Sequence, residues 1–275
     1  MELGLAGKVV VVTGASGGIG GAVARQLAAE GARLVLHARS QPQRARALAA
    51  ELRRTECLVV AGDLAREAAA ERLIAKAVAR FGRVDTLVAN AGSWTDADVP
   101  LHRMTLRQWR ATQDAVLTSA FLSLRAFLRQ VARQRQGNAV LVASTAAIFG
   151  EAGHADYSAA KAAMAFGLTR SLKNEIARIA PHTRAYCGGR VNCVCPGWVV
   201  VPRTAGKLGA ARTVRRVTAT MALPQLARPE DVAHAVAFFA SDRAARHLSG
   251  QILTVAGGME GRLLWAPAEL DPSLA

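Results

Sequence analysis

Short runs of apolar residues alternate along the chain with longer segments in which apolar positions recur every three or four residues. An apolar run of about four to eight residues bounded by turn-forming residues indicates a buried strand, whereas the longer period indicates an amphipathic helix. The pattern predicts seven strands, at residues 8–13, 33–37, 57–61, 86–89, 139–143, 190–195 and 252–255. It predicts helices at residues 18–30, 43–54, 67–81, 106–133, 157–179 and 229–240.

Strands this apolar, separated by helices, are typical of a parallel sheet that is buried on both faces. Right-handed crossovers then give a Rossmann-type, doubly wound α/β fold of about seven strands with helices on both faces. We expect one domain over residues 1–275, because no linker or repeat divides the chain. Residues 200–222 interrupt the alternation and are predicted to form a mobile lid, and residues 266–275 a loosely packed tail.

The formal net charge of +15 is accompanied by only 5% aromatic residues, and the basic residues are scattered. Nucleic-acid-binding domains usually add a clustered basic stripe or stacking aromatics, so we expect no nucleic-acid partner and interpret the charge as a solvated surface. No apolar run approaches the roughly 20 residues that span a bilayer, and the N-terminus does not resemble a secretory signal. These features predict a cytoplasmic protein with no membrane partner.

The four cysteines, Cys57, Cys187, Cys193 and Cys195, include no pair with C-x-x-C spacing. Neither a zinc ribbon nor a redox dithiol is therefore indicated, and we predict no metal site. Cys193 and Cys195 are expected to share one face of a strand, where we interpret them as small buried hydrophobic residues.

A glycine-rich segment joins the first predicted strand to the first predicted helix, and it reads Thr13-Gly14-Ala15-Ser16-Gly17-Gly18-Ile19-Gly20. Glycines allow a tight turn and a close approach of the backbone to a pyrophosphate, while the helix N-terminus offers free N–H groups and a partial positive charge. A plain glycine turn is the alternative interpretation. The position between strand and helix favours a dinucleotide-binding loop.

A second group of residues has the composition needed for proton transfer. Tyr157 and Lys161 lie four positions apart in a predicted helix and therefore share a face. A nearby ammonium favours the phenolate, so Lys161 is expected to lower the pKa of Tyr157 from its usual value near 10. Ser144, just past the fifth strand, can donate a hydrogen bond to a substrate oxygen as negative charge develops there. An ordinary helix face is the alternative for the Tyr-x-x-x-Lys pair.

The spacing Gly-x-x-x-Gly-x-Gly after a threonine resembles the loop of the short-chain dehydrogenase/reductase family, and further motifs of that family follow at successive strand ends. The resemblance, most like the 3-oxoacyl-carrier-protein reductase branch, implies hydride transfer between a nicotinamide and a carbonyl or secondary alcohol. It assigns substrate orientation to Ser144, acid/base catalysis to Tyr157, and the nicotinamide ribose to Lys161. The cofactor-binding residues that it implies are Gly14, Ser16, Gly17, Gly18, Ile19, Gly20, Arg39, Asp63, Leu64, Asn90, Ala91, Gly92, Tyr157, Lys161, Pro196, Gly197 and Val199.

The end of the second strand bears on the choice between NAD(H) and NADP(H). In the family an acidic residue there pairs with the ribose hydroxyls of NAD, but Ala38 occupies that place here and Arg39 follows. A guanidinium can form a forked pair with a 2′-phosphate, whereas a carboxylate would repel it. NADP(H) is therefore favoured over NAD(H), with a plain surface arginine as the alternative for Arg39.

Two positions depart from the family pattern. Val116 stands where the family has an asparagine that holds a proton-relay water, with Thr112 as a candidate replacement for holding it. Val201 stands near the usual threonine or serine that holds the carboxamide, with Thr204 three residues later. These changes keep a second function open, namely an NADP-binding protein with weakened catalysis that acts as a sensor or structural partner.

The substrate is expected to be a small-molecule carbonyl or alcohol, with an acyl thioester as one option. Trp94, Phe149 and Trp198 are predicted beside the pocket and suggest an apolar or ring-bearing substrate, although surface packing explains them equally well. Three basic residues in the predicted lid, at i, i+3 and i+4, would give a helix one basic face for an acidic substrate, a phosphopantetheine or a carrier protein, although a solvated face explains them too. These residues are Arg212, Arg215 and Arg216. The resemblance also implies a homotetramer or homodimer.

Overall fold

The computed structural model describes residues 2–264, except for the side chain of Lys207. The strands are β1 (Val9–Val12), β2 (Arg33–Ala38), β3 (Cys57–Ala61), β4 (Thr86–Ala89), β5 (Asn138–Val142), β6 (Arg190–Pro196) and β7 (Ile252–Val255). The helices are α1 (Gly18–Ala29), α2 (Pro42–Glu51), α3 (Glu67–Phe81), α4 (Leu106–Gln113), α5 (Ser119–Gln134), α6 (Ala146–Phe149), α7 (Ala155–Ala162), α8 (Thr169–Ile179), α9 (Pro202–Leu208), α10 (Ala211–Thr218) and α11 (Pro229–Ala240).

The seven strands form one sheet in the order β3-β2-β1-β4-β5-β6-β7, and every neighbouring pair is parallel. The order reverses between β1 and β4, because β2 and β3 lie on one side of β1 and the later strands on the other. The predicted doubly wound parallel sheet is confirmed. Ligands of such sheets bind at the carboxyl ends of the strands, at the point where the order reverses.

Side chains of alternate strand residues enter two separate cores. In β1, Val9 and Val11 pack into a core with residues of α3, α5 and α8, whereas Val10 and Val12 pack into a core with residues of α1 and α11. All four valines are fully buried. A strand covered on both faces cannot alternate apolar and polar residues, which explains the continuous Val-Val-Val-Val sequence.

The two long predicted helices are each interrupted by a π-helical turn. Asp114–Thr118 joins α4 to α5, and Ala163–Leu168 joins α7 to α8. By length and composition alone, the combined stretch Leu106–Gln134 would be able to cross a bilayer, with a mean hydropathy of 1.2. The stretch holds no continuous apolar run of that length, because polar and charged residues interrupt it throughout. Half of its apolar window is buried in the protein, where α5 packs against α3 and β4, as in a core helix.

The β6–α11 segment, residues 200–222, contains the helices α9 and α10, which the alternating pattern did not show. Its path is anchored at Val199, which forms a bridge with Ala227, and at Met221, which forms one with Met259. The segment therefore leaves the sheet at the carboxyl end of β6 and returns across the same edge. The predicted tail at residues 266–275 lies outside the described residues.

Candidate active site

The predicted site residues meet at the carboxyl edge of the sheet. Because all strands are parallel, the segments that follow β1, β4, β5 and β6 share this edge. The glycine loop follows β1 and the Asn90-Ala91-Gly92 motif follows β4, so the two flank the point where the strand order reverses. The sequence separates these two segments by more than seventy residues, and the sheet places them side by side.

Asn90 and Thr13 hold the glycine loop in shape. The Asn90 side-chain amide donates to the Thr13 carbonyl oxygen at 2.9 Å, and the backbone N–H groups of Asn90 and Ala91 both donate to the Thr13 hydroxyl at 2.9 Å. Gly14 adopts a φ of +68°, in the left-handed region that favours glycine. A Cβ at Gly20 would lie 2.3 Å from the Gly14 carbonyl oxygen, so this contact requires glycine.

The first turn of α1 fits a pyrophosphate. Its N-cap, Gly17, supplies no side-chain cap, and the turn contains no acidic residue. The N-terminal N–H groups are therefore available to an anion, and the helix dipole favours negative charge there. A Cβ at Gly18 would lie 2.5 Å from a Val201 methyl carbon, which shows that the β6–α11 segment closes onto the loop. The residues present fit the dinucleotide that the sequence predicts.

A buried histidine at the end of β2 joins the glycine loop to the end of β3. His37 Nδ1 accepts from the Gly14 backbone N–H at 3.3 Å, and its Nε2 lies 2.8 Å from the Gly62 carbonyl oxygen. Nε2 therefore carries the proton and donates it to Gly62. Burial lowers the pKa of His37, which favours this neutral form. Sequence reasoning passed over His37 because its contacts are made by backbone atoms remote in the chain.

The residues that follow β2 and β3, near His37, differ in their exposure to solvent. Ala38 is fully buried, whereas Arg39 is exposed at the carboxyl end of β2. Beyond β3, Asp63 is exposed and accepts from the Ala65 backbone N–H at 3.1 Å, and Leu64 is buried. The edge therefore presents one exposed cation and no carboxylate at the end of β2.

Ser144, Tyr157 and Lys161 come together from β5 and α7. Ser144 and Tyr157 both line the same cavity, and hydrogen bonding from Ser144 acts to lower the pKa of the tyrosine. Lys161 is 3% exposed, and its Nζ lies 5.7 Å from the centroid of the Tyr157 ring and donates to the Val142 carbonyl oxygen at 2.7 Å. The last carbonyl of β5 thus holds the ammonium below the tyrosine ring.

The electrostatics of this group differ from the sequence expectation. Burial raises the pKa of Tyr157 to about 12, and the Ser144 hydrogen bond and the charge of Arg203 offset only part of the shift. Burial also lowers the pKa of Lys161 from 10.5 to about 8, with Cys193 and Cys195 acting in the opposite direction. In this arrangement desolvation outweighs the ammonium, so Tyr157 is a protonated acid at neutral pH and Lys161 is only moderately basic.

The two departures from the family pattern are buried beside these groups. Val116 is fully buried in the π-helical turn, and Gly92 separates it from Lys161: a Cβ at Gly92 would lie 3.5 Å from both side chains. Thr112 is committed elsewhere, since its hydroxyl donates to Asp156 Oδ2 at 2.6 Å. Thr112 is therefore not free to hold a relay water by its hydroxyl hydrogen.

The second departure concerns the turn after β6. Thr204 accepts from the Val201 backbone N–H at 3.0 Å and donates to the Val199 carbonyl oxygen at 2.6 Å. Its hydroxyl caps the start of α9. The role expected of a threonine beside the carboxamide is thus replaced here by a structural one.

A cavity of about 1030 Å³ opens beside Ser144 and Tyr157. Of the predicted cofactor-binding residues, Ile19, Pro196, Gly197 and Val199 also line it. The three predicted aromatic residues, Trp94, Phe149 and Trp198, line its walls, and the Trp94 ring lies 5.2 Å from the Tyr157 ring. An apolar surface therefore faces the acid/base group.

Arg203 of α9 closes the cavity against the loop that follows β4. Its guanidinium lies 4.4 Å from the centroid of the Trp94 ring, donates to the Trp94 carbonyl oxygen, and pairs with Asp96 at 3.0 Å. A cation held over an indole face is attracted by the ring quadrupole. The β6–α11 segment thus covers the site in the described arrangement.

His154 is buried in the cavity wall at the N-cap of α7. Its Nε2 lies 2.9 Å from Asp98 Oδ1. Among the described residues, its Nδ1 and the Ser158 hydroxyl have no hydrogen-bond partner although both atoms are buried. Buried polar atoms of native proteins are nearly always paired, so these two are available to a bound molecule or water.

Sequence reasoning also missed the contribution of residues 261–264 to the cavity. Arg262 lines it, pairs with Glu151 at 2.8 Å and donates to the Thr145 hydroxyl at 3.2 Å. No motif marks these residues, because they reach the site only by the return of the chain after β7.

The comparisons with known proteins agree with this geometry. Residues 14–260 match a family model described as enoyl-(acyl carrier protein) reductase. Among curated relatives, cis-4-hydroxycyclohexanecarboxylate dehydrogenase of Sinomonas cyclohexanicum is 40% identical over 91% of this chain and 96% of its own length. A 3-oxoacyl-[acyl-carrier-protein] reductase of Synechocystis is 35% identical over 93% of this chain and 98% of its own length.

A solved structure from Beutenbergia cavernae, named for an NAD(P)-dependent gluconate 5-dehydrogenase with bound NADP, has a TM-score of 0.84 and 33% identity. It covers 94% of this chain, and 99% of its own chain is matched. The chain belongs to the short-chain dehydrogenase/reductase family, as the motifs predicted. It is an NAD(P)-dependent oxidoreductase of that family, similar to 3-oxoacyl-carrier-protein reductases.

Proposed function

We propose that the protein transfers a hydride between NADP(H) and a small-molecule carbonyl or secondary alcohol, with Tyr157 as the general acid/base. One observation supports this proposal above the others. Ser144, Tyr157 and Lys161 are assembled at the edge of a large cavity, beside the loop that fits a pyrophosphate. The bound nicotinamide supplies or accepts the hydride.

Two side chains of the protein would transfer a proton and donate a hydrogen bond to the substrate oxygen. In the direction of reduction, the Tyr157 hydroxyl gives its proton to the carbonyl oxygen, and the reverse reaction returns that proton to Tyr157. The Ser144 hydroxyl donates to the same oxygen as its negative charge grows. Because its pKa is raised to about 12, Tyr157 holds its proton at neutral pH and is in the form that the reduction requires.

Lys161 would support both the tyrosine and the nicotinamide ribose. One of its three N–H groups donates to Val142, which leaves two for other partners. Below pH about 8 the ammonium is charged, and that charge stabilises a phenolate formed at Tyr157 when the proton leaves. Trp94 packs against the Tyr157 ring and Arg203 lies over Trp94, so these two side chains would shield the tyrosine from part of the solvent.

The preference for NADP(H) over NAD(H) rests on the end of β2. The exposed Arg39 guanidinium and the absence of a carboxylate at Ala38 suit a 2′-phosphate. The NADP in the Beutenbergia structure supports the same choice. The tetramer or dimer, which the family resemblance implies, and the cytoplasmic location, which the apolar pattern of the sequence predicts, remain proposals.

The names of similar proteins suggest two kinds of substrate. Two of them name hydroxylated carboxylates, a hydroxycyclohexanecarboxylate and gluconate, and others name acyl thioesters of a carrier protein. Each contains the carbonyl or secondary alcohol that the site would process. The alternative of an NADP-binding sensor with weakened catalysis is supported by the buried Val116 beside Lys161.

Replacement of Tyr157 by phenylalanine tests the proposal. Oxidation of NADPH with a panel of ketones is expected to fall at least about a hundredfold, as for the loss of a general acid/base, while NADPH binding by fluorescence is unchanged. The chain has two tyrosines, so Tyr186→Phe is the matched control. Tyr186 bonds both the N–H and the carbonyl of Gly137, and its loss should lower stability without a specific loss of turnover. Turnover by Tyr157→Phe within a few-fold of the wild-type rate would contradict the proposal. Inactivity of the wild type with every ketone would favour the alternative of an NADP-binding sensor.

A further inference from the structure

The charges of the cavity wall do not balance. Eight ionisable side chains other than Tyr157 line it: Asp96, Asp98, Glu151, His154, Arg203, Arg212, Arg216 and Arg262. Each carboxylate faces a partner in the wall, since Asp96 pairs with Arg203, Asp98 with His154, and Glu151 with Arg262. Arg203 and Arg262 are thereby neutralised.

Two arginines of α10 are left without a carboxylate. Arg212 and Arg216 stand four residues apart on one face of this helix, and both line the cavity. Among residues 2–264, no carboxylate forms an ion pair with either side chain, and the Arg216 guanidinium donates only weakly, at 3.4 Å, to the Leu263 carbonyl oxygen. Within the described part of the chain, the cavity wall therefore carries two arginines that no carboxylate pairs with.

The neighbouring Arg215 shows that this orientation is specific. It belongs to the same helix and is exposed, but it does not line the cavity. The sequence grouped all three arginines on one basic face, and the fold separates them. Of the three arginines, only the pair at i and i+4 lines the cavity that Tyr157 also lines, which places two guanidinium groups on the same wall.

We infer that the substrate is a small oxo or hydroxy carboxylate, whose carboxylate lies between Arg212 and Arg216 while its reacting carbon faces Tyr157. This inference rests on the proposed function and specifies its substrate class. Guanidinium groups match a carboxylate with paired, charge-assisted hydrogen bonds. Trp94, Phe149 and Trp198 then contact the carbon skeleton between the two polar ends.

The inference separates the two kinds of substrate named by the relatives. An acyl thioester of a carrier protein has a neutral pantetheine arm beside its reacting carbonyl, and its anionic groups, the phosphate and the carrier itself, lie at the far end of that arm, so the two exposed guanidinium groups would meet a counter-ion only there. A small acid supplies that counter-ion inside the cavity itself. Arginine also remains charged at any accessible pH, so the preference for an anion is built into the wall.

Matched pairs of ketones test the inference on the NADP-loaded enzyme. 4-Oxocyclohexanecarboxylate and its carboxamide have nearly the same shape and differ in charge, and 4-oxopentanoate and its amide form an open-chain pair. We expect the wild type to prefer the acid by tenfold or more in kcat/KM, which is the scale of one lost charge-assisted hydrogen bond. In the Arg212→Gln/Arg216→Gln variant the ratio should approach one, mainly through KM, whereas Arg215→Gln should keep the wild-type ratio.

Binding provides a readout that does not need catalysis. Calorimetric titration of cyclohexanecarboxylate into the NADP-loaded enzyme should show an affinity that falls tenfold or more in the double variant and is unchanged in Arg215→Gln. Equal use of acid and amide by the wild type, or a preference for the neutral thioester acetoacetyl-N-acetylcysteamine, would overturn the inference and leave the proposed function intact. Binding of the acid without reduction of any ketone would instead support the arginine pair and contradict the proposed reaction.

Discussion

The two walls of the cavity are built in different ways. On the sheet side, Ser144, Tyr157 and Lys161 are held by the end of β5 and by α7, and Lys161 is fixed by a backbone carbonyl. On the opposite side, α9 and α10 belong to a segment with few buried residues, and their arginines are exposed. Under the proposed function, the buried groups of the sheet side carry out the reaction, whereas the exposed groups of the covering segment select the substrate.

The largest change in kcat/KM is expected from substitutions at the carboxyl end of β2, where the cofactor is proposed to bind. Arg39→Leu removes the exposed cation at the end of β2, and adding Ala38→Asp introduces a carboxylate that suits ribose hydroxyls. We expect kcat/KM with NADPH to fall about tenfold to hundredfold, while the value with NADH is kept in the single variant and rises in the double one.

Arg54→Leu, beyond the other end of α2, is the matched control for this change in cofactor use. Because Ala38 is fully buried, thermal unfolding should be followed for the double variant, and the single variant stands alone if the double one is unstable. A wild-type preference for NADH would refute the role of Arg39.

The contact between the walls is expected to have an intermediate effect. Arg203→Ala removes the cation over Trp94 and the ion pair with Asp96. An attraction of this kind accounts for about 0.5–2 kcal/mol, so KM for the ketone should rise several-fold to about tenfold. Arg203→Lys keeps the charge but loses the planar stacking, so its KM should lie between those of the wild type and Arg203→Ala. An unchanged KM in Arg203→Ala would show that this contact does not hold the cavity closed.

The burial of Lys161 predicts a dependence of stability on pH. Its pKa falls from 10.5 to about 8 on folding, so between these values the unfolded chain binds a proton that the folded protein has released. Stability from this group therefore rises with pH across pH 8 to 10.5, by at most about 3 kcal/mol. The free energy of unfolding, measured with urea for the wild type and for Lys161→Met, should increase more in the wild type than in the variant between pH 8 and 10.5. If the free energies of unfolding of the two proteins changed with pH in the same way, the lysine would be solvated in the folded protein.

The smallest effect is expected at Val116, beside Lys161. An apolar side chain offers no donor or acceptor for a relay water, so the return of protons to Tyr157 is predicted to limit turnover. Val116→Asn should raise kcat a few-fold and lower its solvent isotope effect, with little change in NADPH affinity. Val116→Ala makes room without adding a polar group and should not raise kcat. A folded asparagine variant with an unchanged rate and isotope effect would indicate that Val116 only packs the helix.

Several features could be predicted from the sequence because they depend on local pattern. Continuous valines indicate a strand covered on both faces, glycines at fixed spacing indicate a turn near phosphates, and residues at i and i+4 share a helix face. The seven strands, their parallel arrangement and the family follow from these patterns. The positions of the predicted catalytic and cofactor residues along one sheet edge follow from the parallel order.

Other features depend on contacts between distant parts of the chain. Whether Lys161 lowers the pKa of Tyr157 depends on how far each group is desolvated, and the structure shows burial prevailing for both. Thr112 and Thr204 looked free in sequence, but each hydroxyl is engaged, one by Asp156 and one by the backbone of the β6–α11 segment.

By itself, the sequence determined the α/β architecture, the glycine loop and the Tyr-x-x-x-Lys pair, because periodicity and spacing are properties of neighbouring residues. Only the tertiary structure decided which charges meet in the cavity. It placed Arg203 over Trp94, paired Arg262 with Glu151, and turned Arg212 and Arg216, but not Arg215, towards the site. These contacts join segments far apart in the chain, and the strength of an ionic interaction depends on its distance and solvent exposure, which the fold alone sets.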